Sequence, residues 1–149
     1  MKSGRAVVLY LAAVFFSTLV SASAVDLQVV ASPKAPEAIG AYSQAIVMGD
    51  FVFVSGNLPL DPATGKMPEA VKDQAKQALD NIKVVLQEAG TDMNKVVKAT
   101  IFLADINDFG AVNEIYSTYF SAPYPARSCV AVRDIPRGAK VEIEVVAVK

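Results

Sequence analysis

The chain has 149 residues, 53% of them hydrophobic and 19% charged, with 14 Lys and Arg against 15 Asp and Glu for a formal net charge of −1. That length suits one domain with a real core and is short for two. It contains no histidine and a single cysteine, which excludes an intrachain disulfide, the Ser-His and Cys-His nucleophile pairs and the commonest zinc ligand, so neither a metal centre nor a triad hydrolase is expected.

At the start of the chain, Lys2 and Arg5 precede an almost unbroken apolar run from Ala6 to Val20, and Ala22-Ser23-Ala24 places small residues at the spacing a signal peptidase accepts. This three-part pattern predicts a secretory signal peptide over residues 1–24, cleaved before Val25, and hence an exported protein; a targeting presequence for an organelle is the alternative. The run of roughly 15 residues falls short of the ~20 that span a bilayer, so no stable membrane insertion is expected after processing. Residues 25–149 then form the domain. They carry 12 Lys and Arg against 15 Asp and Glu, a net charge of −3, and such a mildly acidic domain with scattered charges has no electrostatic footprint for nucleic acid.

Leu27 to Ala31 is a short apolar run, followed by an irregular connection marked by Pro33, Pro36 and Gly40. "YSQAIVMGDFVFVSG" reads as two β segments around Gly49-Asp50, a hairpin. "NLPLDPATGKMP" reads as a loop. From Glu69 to Ala89, Val71, Ala75, Ala78, Leu79, Ile82, Val85 and Leu86 recur at steps of three and four, and Gly90 follows where a C-terminal cap belongs. This predicts one long amphipathic helix. Val96 to Leu103 is β-branched and apolar enough for a buried strand, and "DFGAVNEIYSTYF" predicts a second helix with Asp108 as its N-cap. Ala126 to Val132 and Val141 to Val148 read as two final strands around the turn "DIPRGAK". In "VEIEVVAV", Glu142 and Glu144 share a face opposite Val141 and Ile143. The order predicts an α+β layer with both helices on one side of a mixed sheet, and an apolar face left over for oligomerisation to bury.

Without histidine, the residues able to carry chemistry are Arg127, Glu142, Glu144, Tyr42, Ser55, Asn57, Asn113 and Cys129. Each has a plainer reading: an arginine on a strand is a solvated edge charge, a glutamate alternating with Val and Ile is the wet face of a sheet, and a lone cysteine is a small buried hydrophobe. Together they say more. Arg127 and Glu142 lie on consecutive strands that could be neighbours, and Ser55-Gly56-Asn57 ends another strand in a way that exposes backbone. A guanidinium cannot shed its charge, and its fork suits a small carboxylate. A nearby glutamate can hold a water or move a proton. The set fits an anion-orienting site that needs no cofactor.

The segments "GAYSQAI", "VFVSGNLPLDPATG", "QALDNIKVVLQEAG", "VVKATIFLADINDF", "VNEIYSTYF", "PARSCV" and "VEIEVVAV", running in order from about Ser32 to Lys149, resemble the successive signatures of the RidA/YjgF/UK114 family of reactive imine deaminases. The resemblance implies a chorismate-mutase-like α+β fold, a mixed six-stranded sheet with two helices on one face, and a homotrimer with its sites between subunits. It implies hydrolysis of small 2-imino acids, 2-iminobutanoate and 2-iminopropanoate, to 2-oxo acids and ammonia without metal or cofactor, which protects pyridoxal-phosphate enzymes. By motif, Arg127 corresponds to the arginine that binds the substrate carboxylate, Glu142 to the group placing the attacking water, and Cys129 to a position acting through its backbone carbonyl. Tyr42 corresponds to the tyrosine that closes the site, Ser55 and Gly56 to strand-end contacts, and Asn113 to a side chain lining the cleft. Asn57 stands where glutamine is usual and Ala41 where proline is usual. Relatives described as endoribonucleases or translation inhibitors, and non-catalytic carboxylate binders or chaperone-like proteins, are the competing readings.

Overall fold

The computed structural model describes residues 26–149. The predicted signal peptide over residues 1–24 lies outside the described residues. Six strands form one sheet: β1 (Leu27–Val30), β2 (Ala45–Met48), β3 (Phe51–Asn57), β4 (Val96–Leu103), β5 (Ala126–Ala131) and β6 (Val141–Val148). Their spatial order is β1-β2-β3-β6-β4-β5. Every neighbouring pair is antiparallel except β4 and β5, which run parallel. Helices α1 (Val71–Glu88) and α2 (Phe109–Tyr116) complete the domain.

The predicted hairpin forms around Gly49, whose φ of 57° puts it in the left-handed region that a tight turn requires. Helix α1 follows its apolar spacing: Ala75, Ala78, Leu79, Ile82, Val85 and Leu86 are fully buried against a sheet face made of Val52, Val54, Ala99, Ile101, Val141, Ile143 and Val145. Each large side chain buried there contributes about 1.5–3 kcal/mol, and this interleaving is the core. The helix ends as expected. Gly90 takes φ 81°, its N–H donates to the Gln87 carbonyl at 3.1 Å, and the Thr91 N–H reaches back to Leu86 at 3.0 Å, which satisfies two of the last carbonyls.

Two expectations change. Asp108 does not cap α2: its backbone is already helical and its side chain makes no cap bond. A 3₁₀ turn over Ile106–Asp108 extends the helix toward its start, so the capping carboxylate is Asp105, which accepts from the Asn107 N–H at 2.9 Å. The second correction bears on function. Strands β5 and β6 are consecutive in sequence but not neighbours, because β4 lies between them. The strand–helix–strand unit β4-α2-β5 pairs in parallel, as such a crossover does, and leaves β5 as an outer edge of the sheet.

Strand β6 alternates over its whole length, with 141, 143, 145 and 147 buried beneath the helices. Its other residues, with Ile46, Phe51, Phe53 and Phe102, make up the uncovered face, where Val29 is 63% exposed, Phe51 46% and Phe53 42%. This is the apolar face anticipated from the strand sequences.

Candidate active site

Arg127 sits on the edge strand β5 and pairs in register with Ala99, so its side chain rises from the helix-covered face toward α2. There the guanidinium lies over two aromatic rings, 4.6 Å from the Tyr116 centroid and 5.6 Å from that of Phe109. Among the described residues it makes no ion pair. With Asn113, Tyr116 and Tyr124 it lines a concavity of about 420 Å³. A permanently charged, half-buried fork facing an open groove is a binding group for an anion.

Cys129, two residues along, faces the same side and packs against the core. Burial pushes its thiol pKa up, and the positive Arg127 offsets this only in part, so the thiol stays protonated at neutral pH and is a poor nucleophile. Its backbone is better placed. The Val132 N–H donates to the Leu103 carbonyl at 2.9 Å, which turns the backbone groups of even-numbered β5 residues toward β4. Those of Arg127 and Cys129 therefore face the free edge of the sheet, because alternate residues point to opposite sides.

A second group of predicted residues gathers elsewhere. Strand β3 leaves regular pairing with β6 between Val54 and Asn57, and this irregularity brings Gly56 against Glu142. The fit is close: a Cβ added to Gly56 would stand 1.9 Å from Glu142 Oε1 and 2.9 Å from its Cδ. Burial raises the Glu142 pKa, and the like charge of Glu144 on the same face raises it further, so this carboxyl holds a proton more readily than an exposed glutamate. Ser55 commits its hydroxyl to the Ser43 carbonyl at 2.6 Å, and Asn57 folds its amide back onto the Ser55 carbonyl at 2.7 Å. Both side chains shape the strand end. Tyr42 is 52% exposed, its hydroxyl accepts from the Ile39 N–H at 3.3 Å, and it lines a groove of about 360 Å³ with Ser55, Gly56 and Asn57.

Three residues that the sequence reading passed over pin the connecting segments on this side of the domain. Gln44 accepts from the Ser32 N–H at 2.6 Å and donates to the Pro36 carbonyl at 2.7 Å, which pins the connection before Tyr42. Buried Asn81 of α1 donates to the carbonyls of Leu58 and Leu60 at 3.1 and 2.9 Å and fixes the chain after Asn57. Gln74, also buried in α1, donates to Pro68 and accepts from the Lys140 N–H. Buried amides at helical spacing within an apolar stripe are the signal that would have found Asn81 and Gln74, since such groups require partners.

The predicted site residues thus fall into two sets: Arg127, Cys129 and Asn113 at the β5 edge, and Tyr42, Ser55, Gly56, Asn57 and Glu142 at the ends of β3 and β6. Arg127 and Glu142 do not meet within one chain. Two interstrand spacings separate β5 from β6, about 10 Å. Arg127 lies level with Val145 through Ala99, while Glu142 is level with Phe102, which adds about 10 Å along the strands. The two side chains also leave opposite faces of the sheet.

These features define a class: a six-stranded α+β domain in which an arginine on an edge strand and a half-buried carboxylate at a strand end occupy separate places on one chain. The chain belongs to the RidA/YjgF family, whose model, described as Endoribonuclease L-PSP, matches residues 32–149. It is 48% identical over 128 residues to the 2-iminobutanoate/2-iminopropanoate deaminase of Rattus norvegicus, covering 85% of this chain and 93% of the rat protein. It is 50% identical over 121 residues to the RutC family protein y4sK of Sinorhizobium fredii, covering 80% and 96%. Among solved structures it resembles E. coli TdcF with bound serine, at a TM-score of 0.79 with 39% identity over 82% of this chain and 98% of that one. These comparisons also correct the reading of the first 24 residues. That segment precedes the family match, and the rat relative, matched over 93% of its own length, has no room for a comparable leader, so the assignment of a signal peptide is unsupported.

Proposed function

We propose that this chain hydrolyses small 2-imino acids, 2-iminobutanoate and 2-iminopropanoate among them, to 2-oxo acids and ammonia, at sites formed between the subunits of a homotrimer. The observation that carries the reading is Arg127, an unpaired guanidinium held on aromatic faces at the lip of an open groove. Its anionic partner is the substrate carboxylate. The names of the rat, mouse and goat relatives support the reaction class. The separation of Arg127 from Glu142 supports a site completed by a second copy, with the Arg127 edge of one chain facing the Gly56–Glu142 end of another.

In this reading Arg127 fixes the carboxylate through two parallel charge-assisted hydrogen bonds. Glu142 and the outward-facing Cys129 carbonyl hold a water against the iminium carbon. Water adds to form the C–O bond, and its proton passes to Glu142. The same carboxyl then returns the proton to the nitrogen, the carbinolamine hydroxyl gives its own proton to the carboxylate as the C–N bond breaks, and the 2-oxo acid is left with ammonia, which carries that last proton away as ammonium. Gly56 gives the carboxyl room to stand, Tyr42 closes the groove, and Asn113 lines its far side. Orientation and proton transfer supply the acceleration. The test is Arg127→Ala, with 2-iminobutanoate generated enzymatically from threonine and release of 2-oxobutanoate followed beside an RNA-cleavage control. The variant is expected to lose all acceleration while keeping its fold and assembly. Wild-type turnover in the variant, or RNA cleavage by the wild type without imine hydrolysis, would refute the reading.

A further inference from the structure

Among the described residues the guanidinium of Arg127 meets no carboxylate, and it rests on two aromatic rings instead. We infer that Tyr116 and Phe109 of α2 are positioning residues, an aromatic platform that presents the Arg127 fork to the substrate carboxylate. The inference rests on the proposed role of Arg127 and deepens it.

An arginine on an edge strand with no ion pair has many rotamers open to it, and a ligand that needs one of them must freeze the rest. Two ring faces, at 4.6 and 5.6 Å from the central carbon, attract the cation and restrict where its plane lies. Carbon rings hold no carboxylate, so the N–H donors stay available for one. Phe109 and Tyr116 are seven residues apart, two helical turns, and so present both rings along one side of α2. Tyr116 is itself fixed: it is 4% exposed and packs on Phe120 at a centroid distance of 4.4 Å. Among the described residues its hydroxyl is buried with no hydrogen-bond partner. A buried hydroxyl left unpaired is a cost that phenylalanine would not carry, so within this chain the service of Tyr116 to Arg127 comes from its ring face.

Three substitutions in the full chain test this, with calorimetric binding of 2-oxobutanoate beside steady-state imine hydrolysis. Tyr116→Phe keeps the ring and is expected to leave Kd, KM and kcat unchanged while raising Tm. Tyr116→Leu removes it, and Kd and KM are expected to rise about tenfold with kcat unchanged. Phe109→Leu, at a 42% exposed position that folding tolerates, is expected to raise both about threefold. Wild-type affinity in Phe109→Leu and in a folded Tyr116→Leu overturns the platform, as does a Tyr116→Phe variant as weak as Tyr116→Leu, which would assign the effect to the hydroxyl. If Arg127→Ala itself binds 2-oxobutanoate like the wild type, it is the proposed function that fails and not the platform alone.

Discussion

Gly56→Ala isolates one contact. The added Cβ would stand 1.9 Å from Glu142 Oε1 and 3.3 Å from its Cγ, and an oxygen must retreat beyond 3.0 Å to clear it, a displacement of more than 1 Å. The carboxyl is the free end of a flexible side chain on the uncovered face of β6, so it can swing aside. The backbone of Gly56 is not left-handed, and alanine in a strand recovers about 0.5–1 kcal/mol of the conformational freedom that glycine loses on folding. Stability should therefore change by less than about 1 kcal/mol. Chemistry should not be so forgiving: under the proposed reaction Glu142 places the attacking water, and a 1 Å shift of such a group costs on the order of 10²-fold. The assay is kcat/KM for imine hydrolysis together with a thermal melt. In a Glu142→Ala background the same substitution should add nothing, because the group it displaces is gone. Activity within threefold of wild type in an unimpaired fold, or full additivity with Glu142→Ala, would refute the reasoning.

Two other outcomes follow from the same geometry. Cys129→Ala should leave imine turnover within about twofold and lower stability modestly, since the thiol is protonated and half-buried while the backbone carbonyl survives the change; a severe loss in a folded variant would return the thiol to the chemistry. Glu144→Gln removes a like charge beside Glu142 and so lowers the Glu142 pKa, although burial, the larger cause of its elevation, remains. The base form then persists to lower pH, and the acid limb of the kcat/KM profile should move down, with an unmoved limb counting against Glu142 as the titrating group. The sign for stability is opposite in kind: a carboxyl whose pKa rises on folding favours the folded state at low pH, and that contribution is lost as pH rises through the folded value.

Much of the architecture is local and was therefore readable. The period of α1, the turn at Gly49-Asp50, the cap at Gly90 and the alternation of β6 are each set by residues a few positions apart. Strand order is not. Whether β6 adds beside β5 or slips between β3 and β4 depends on contacts across the sheet, and only the strand–helix–strand order of β4, α2 and β5 hinted that β5 would pair with β4 in parallel. The site divides along the same line. Arg127 and Glu142 were identifiable as unusual residues in apolar strands, and Gly56 by its place at a strand end. Their separation was invisible because it is a property of the topology. Phe109 and Tyr116 are spaced to share one side of a helix; that this side carries a cation needed the position of β5.

That topology also constrains how the chemistry can be assembled. Bringing Arg127 and Glu142 together within one chain would require one side chain to pass through the sheet, or β4 to leave its place between β5 and β6. β4 pairs with β6 from Val96 to Leu103 and with β5 over six residues, and its inward side chains Ala99, Ile101 and Leu103 are fully buried. No loop movement substitutes for that rearrangement, which amounts to unfolding the core. A second chain reaches the same end without it, since the β5 edge and the β3–β6 end are both free to meet another copy. The uncovered apolar face, with Val29, Phe51 and Phe53 exposed, supplies a reason for copies to associate that is independent of the site. Under the proposed reaction, burying that face and completing the arginine–carboxylate pair are two consequences of one association, and the unit that turns over substrate is the assembly.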